Sequence, residues 1–145
     1  MLRRVLRSIV GVVTGYFVFV ASNLALFQLT GQPPHRAASV AFMVGASAYG
    51  TAFALFGGYL SAWIAGRRPL LHAAAMAAIL ALVATGSLVA TIGKGAIWTQ
   101  ICALALMTPA AVAGGWLRQR IASAVARRTR PAQLRETLPQ QNRAL

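Results

Sequence analysis

Acidic side chains are almost missing from this chain of 145 residues: Glu136 is the only one, and there is no aspartate. One carboxylate excludes a general acid/base pair, a carboxylate metal cage and a Ser-His-Asp arrangement. Cysteine is as scarce. Cys102 stands alone, so no disulfide forms within the chain and a small buried apolar residue is its plain reading. The two histidines, His35 and His72, fall at opposite ends of the predicted helices and cannot share a metal; both read as loop or interfacial residues. Lys94 sits between Gly93 and Gly95 without the glycine spacing of a phosphate loop, which leaves nucleotide hydrolysis unsupported. Charged residues of any kind make up 10% of the chain against 58% hydrophobic ones, too few to cover a soluble surface.

What is present is arranged in long uncharged runs. Lys, Arg, Asp and Glu are absent from Ser8–His35, Ala37–Gly66, Pro69–Gly93 and Gly95–Leu117. A helix crossing a hydrocarbon layer of roughly 30 Å needs about 20 apolar residues, so each run suffices for one crossing and none for two. None shows the sustained alternation of a membrane strand. The expected fold is therefore an all-α membrane protein with spans at about 8–29, 39–65, 70–92 and 97–117, followed by a basic cytoplasmic tail over 118–145. The connectors, Gly31 to Arg36 with two prolines, Gly66 to Pro69, and Gly93 to Gly95, are short enough to force an up-down-up-down bundle. The first apolar run is too long for the core of a signal peptide and lacks a small-residue cleavage site, so it reads as a retained span.

Twelve arginines gather at one end of these spans, counting the tail, and only Arg36 and Lys94 lie at the other. The positive-inside rule then places both termini and the Arg67-Arg68 turn in the cytoplasm, with Trp63, Trp116 and Trp98 as interfacial anchors. Arg67, Arg68, Arg118, Arg120, Arg127 and Arg128 are expected to face anionic lipid head groups. Beyond Pro131 the tail is polar and reads as lacking fixed structure. A nucleic-acid partner would rest on charge alone, with no aromatic interleaving, and is not expected.

Small residues at four-residue spacing let helices approach closely in lipid. The second span carries Ala46, Gly50, Ala54, Gly58, Ala62 and Gly66 in one such row, and the first carries Gly11 and Gly15, so the second helix is expected at the centre of the packing. At an offset of 57 residues, Ala54, Gly57-Gly58, Leu60 and Ile64-Ala65 match Ala111, Gly114-Gly115, Leu117 and Ile121-Ala122. That match raises a duplicated two-helix hairpin, although chains rich in Ala and Gly inflate such matches. From Gly57 to Ala73 the sequence, Gly-Gly-Tyr-Leu-Ser-Ala-Trp-Ile-Ala-Gly-Arg-Arg-Pro-Leu-Leu-His-Ala, resembles small four-span bacterial inner-membrane proteins of unknown function. The resemblance implies that location and no activity.

The spans contain no embedded carboxylate, lysine or arginine, the groups that mark ion and proton paths. Small multidrug exporters of this size depend on a membrane-embedded Glu, and its absence counts against proton-coupled export. The remaining polarity is uncharged and skewed to the outer half. Asn23, Gln28, Thr91 and Gln100 mark a shallow outer pocket for a lipid head group, a quinone or a small solute, or else simple interhelical hydrogen bonds. Tyr16, Tyr49 and Thr51 need partners at mid-depth, and Pro109 should kink the fourth span. The sequence calls for no cofactor or metal. It supports a non-catalytic membrane protein acting through helix association, as a scaffold, an accessory subunit of a membrane complex or a homo-oligomer. The alternatives are a small oligomeric carrier, a holin-like pore former, and more distantly an enzyme that borrows a partner's residues.

Overall fold

The computed structural model describes residues 2–141, with side chains described as far as Arg127. Every regular element among them is helical: α1 (Leu2–Thr30), α2 (Val40–Ala65), α3 (Pro69–Thr91), α4 (Trp98–Cys102) and, after a π-helical turn over Ala103–Met107, α5 (Thr108–Gln141). Leu2–Thr30, Val40–Ala65, Pro69–Thr91 and Trp98–Arg127 are each long and apolar enough to cross a membrane.

Helix ends and charge boundaries differ. α1 begins before Arg3, and α5 continues past Arg118 and on through Pro131 to Gln141, where the sequence suggested a chain without fixed structure. Ala, Leu, Arg, Gln and Glu are all strong helix formers, so a run of charge marks where lipid ends and not where a helix must. Inside the chain the helix ends fall at local signals. The Ser39 hydroxyl caps α2 by accepting from the Phe42 amide at 3.3 Å, and Gly66 ends it at φ +69°. Pro69 then opens α3 at its first turn.

α2 lies at the centre: it touches α1, α3, α4 and α5, whereas among the described residues the backbones of α1 and α5 do not meet. The glycines explain how closely the backbones meet. A Cβ on Gly11 would lie 2.8 Å from the Ser61 carbonyl oxygen, and one on Gly15 would strike the Gly57 carbonyl. Gly58 packs directly on the Ala111 backbone, and Gly114 on Leu55 and Tyr59. Contacts between α1 and α2 run in opposite order along the two helices, from Gly11 beside Ser61 to Phe27 beside Phe42. Those between α2 and the fourth span run in the same order, from Ser47 beside Cys102 to Tyr59 beside Gly114.

The radial arrangement is the reverse of a soluble domain's. Ala54, Ala73 and Ala111 are fully buried, with Phe19, Met76, Leu80 and Met107 filling the space around them. Large side chains face outward, among them Leu82 (74% exposed), Val40 (71%) and Phe17 (68%). Water would penalise such a surface, while lipid tails solvate it and leave close packing of small residues to hold the helices together.

Candidate functional site: a groove with one polar end

The site is assembled where two connectors meet. Gly31 and Gly93 take up φ of +64° and +76°, turning the chain between α1 and α2 and between α3 and α4. The Ala96 amide donates to the His35 carbonyl at 3.0 Å, an approach that Gly95 permits, since a Cβ there would lie 2.8 Å from the same oxygen. Trp98 Nε1 donates to the Arg36 carbonyl at 3.1 Å, and the Thr99 hydroxyl lies 3.2 Å from the Pro34 carbonyl. Phe27, Phe42 and Trp98 close this end as an aromatic cluster with ring centroids 6.2–6.4 Å apart.

Gln100, 3% exposed, is the hub. Its Nε2 lies 2.9 Å from His35 Nδ1, 3.2 Å from Ser87 Oγ and 3.4 Å from Thr91 Oγ1, while the Thr99 hydroxyl lies 2.8 Å from its Oε1. Thr91 donates to the Ser87 carbonyl at 2.7 Å, so its oxygen is free to accept. An amide nitrogen has hydrogens to give and no lone pair, so His35 Nδ1 accepts, and the neutral imidazole carries its proton on Nε2. A loop, α3 and α4 are thereby tied together by neutral groups only.

Beside this network a groove of about 300 Å³ opens between α1 and α3. Tyr16, Phe19, Val20 and Leu24 form one wall, Leu80 and Val83 the other, and Asn23, Ser87, His35 and Gln100 cluster at one end as its main polar groups. Asn23 donates from Nδ2 to the Phe19 carbonyl at 2.8 Å. The π turn borders the groove through Ala103. Pro109 has no N–H and its ring crowds the carbonyl of Ala105 four residues earlier. The wider turn before it absorbs that conflict, and the Ala103 carbonyl accepts from both the Thr108 amide and the Thr108 hydroxyl, the latter at 2.9 Å.

Of the pocket residues expected from the sequence, Asn23 and Gln100 line this groove and Thr91 bonds to Gln100. Gln28 does not; it lies over a separate shallow surface with Gln32 and Pro33. His35, read from the sequence as a plain loop residue, belongs to the site. Its loop has the same end of the bundle as Gln100, and that shared end was the available signal. Of the small-residue row, Ala46, Gly50, Ala54, Gly58 and Ala62 are buried inside the chain, as are Gly11 and Gly15. Gly66 departs from the row: it is an exposed left-handed cap, since the helix ends there. Tyr49 reaches the Ser22 carbonyl at 3.4 Å and Thr51 its own helix at Ser47, 2.7 Å away. Cys102 is half-buried and takes a hydrogen bond from Ser47 at 3.1 Å.

At the opposite end, Arg67 and Arg68 border a cavity shared with Arg4 and Arg7. Arg118 is half-buried with no hydrogen-bond partner for its Nε among the described residues, and Arg120 stacks over the Trp116 ring at 4.7 Å. Arg127 is exposed, and the side chain of Arg128 lies outside the described residues. Compared with family models, with curated proteins and with solved structures, the chain finds no match in any of the three.

Proposed function

We propose that this is a non-catalytic, multi-pass protein of a bacterial inner membrane, standing up-down-up-down with both termini in the cytoplasm, and that it works as a scaffold or accessory subunit by holding another membrane component. The observation that carries the reading is the sideways opening between α1 and α3. Apart from Tyr16 its walls are apolar, its other polar groups cluster at the His35 and Gln100 end, and no Lys or Arg lines it. Such a shape suits a neutral amphiphile, an apolar body with a hydrogen-bond acceptor at one end, entering from the bilayer to meet His35 Nε2.

The small-residue row of α2 is used inside one chain, so association with anything else must use another face, and the groove supplies one. A pore through a single copy is disfavoured by the side chains of Phe19, Met76, Leu80 and Met107 along the bundle interior. The hairpin duplication gains support from the same packing, because the two segments that match at an offset of 57 lie against each other, Gly58 on Ala111 and Gly114 on Leu55.

The test is to purify the full chain in mild detergent, extract it with organic solvent and weigh what is released. The expectation is about one neutral amphiphile per chain, lost from Val83→Trp, which fills the groove, and kept by Leu82→Trp on the outward face of the same helix. Equal retention by the two variants would contradict the reading.

A further inference from the structure

At the end away from the groove, two separate elements bring arginines to one cavity of about 490 Å³: Arg4 and Arg7 from α1, and Arg67 and Arg68 from the turn between α2 and α3, with His72 of α3 also lining it. Arg4 and Arg7 are three residues apart and share a helix face. Arg7 leans onto the turn, its Nη2 3.7 Å from where a Cβ on Gly66 would stand. Arg68 is the only non-glycine residue with positive φ, at +44°, among the described residues. Its carbonyl is held by the Leu71 amide at 3.0 Å and by His72 Nδ1 at 3.1 Å; a carbonyl only accepts, so Nδ1 carries a proton and donates it. The backbone that aims Arg68 is thus fixed by its neighbours.

Among the described side chains no carboxylate compensates these guanidinium groups; the chain's only acidic residue is Glu136 in the tail sequence. Like charges converging on one space repel, and a shared anion removes the penalty. Guanidinium forks match the paired oxygens of phosphate better than any other common anion of a membrane surface. We propose that this cavity is a binding site for a phosphate group, held by Arg4, Arg7, Arg67 and Arg68 through paired N–H donors and not merely by surface charge. The phosphate is that of an anionic phospholipid or of a soluble phosphate compound, the same chemistry from two sources. The proposal rests on the membrane placement given above but not on the groove, so failure of either site leaves the other standing.

Native mass spectrometry of the full chain, released from neutral detergent, tests it with phosphatidylglycerol, phosphatidylcholine and inorganic phosphate as probes. One phosphatidylglycerol per chain should be retained in preference to phosphatidylcholine. Arg7→Gln with Arg68→Gln should weaken retention about tenfold or more. Arg67→Lys with Arg68→Lys, which keeps the charge and removes the forks, should weaken it measurably as well, and Arg120→Gln with Arg127→Gln should not. Displacement of the lipid by millimolar inorganic phosphate would assign the site to a soluble phosphate compound; resistance to it would assign the site to the lipid. Equal binding of the two lipids, equal loss in the cavity and tail variants, or full binding by the double lysine variant would each overturn the proposal.

Discussion

Single glycines decide how closely this bundle packs, and their environments separate into two kinds. Gly58 and Gly114 face backbone of the neighbouring helix, so an added methyl has nowhere to go without moving a helix. Gly45 and Gly86 have nothing within 4 Å of the same position. Gly58→Ala or Gly114→Ala should cost about 1–3 kcal/mol. Gly45→Ala and Gly86→Ala should be neutral or stabilising by about 0.5–1 kcal/mol, because alanine loses less freedom in a helix. Thermal unfolding in detergent compares the four. The sequence distinguished these roles only in part. Four-residue spacing singled out Gly58 as a packing residue, yet the same spacing enrolled Gly66, which the end of the helix turns into a cap. The groove shows the same limit. Asn23, Thr91 and Gln100 were legible as polar residues in an apolar run, whereas His35 entered the site through the fold of a loop, which no periodicity encodes.

Elements were legible where composition dictates them. Uncharged runs located four helical spans, and Gly66 and Pro69 marked boundaries to within a residue or so. They failed at the outer limits of α1 and α5, because helix propensity continues where hydrophobicity stops. The π turn was only half visible: Pro109 announced a disturbance, but not that the helix would accommodate it by widening over Ala103–Met107. A π turn amounts to one inserted residue in an α-helix. Deleting Ala105 together with Pro109→Ala should therefore let the segment wind regularly while Gln100 and Ala111 keep their faces. Deleting Ala81 from α3 should instead turn the following residues by about 100° and misplace Ser87 and Thr91. The first variant is expected to accumulate in membranes close to the unmodified level and the second to be degraded, as read by immunoblot of the membrane fraction. Equal loss of both would show that the π turn has no slack to give.

For the whole molecule, the governing fact is a surface of large apolar side chains around a core of small ones, with few polar side chains buried inside and Arg4, Arg7, Arg67 and Arg68 collected at one end. The proposed orientation follows from that asymmetry, with the arginine end held by the cytoplasmic leaflet. Labelling of single cysteines in a Cys102→Ser background, using a maleimide that cannot cross membranes, tests this central claim most directly. Cysteines replacing Gln32 and Lys94 should react from outside intact cells, and those replacing Arg67 and Ser123 only after the membrane is opened. Gln32 and Arg67 reacting from the same side, or all four reacting in a detergent-free aqueous fraction, would contradict the account.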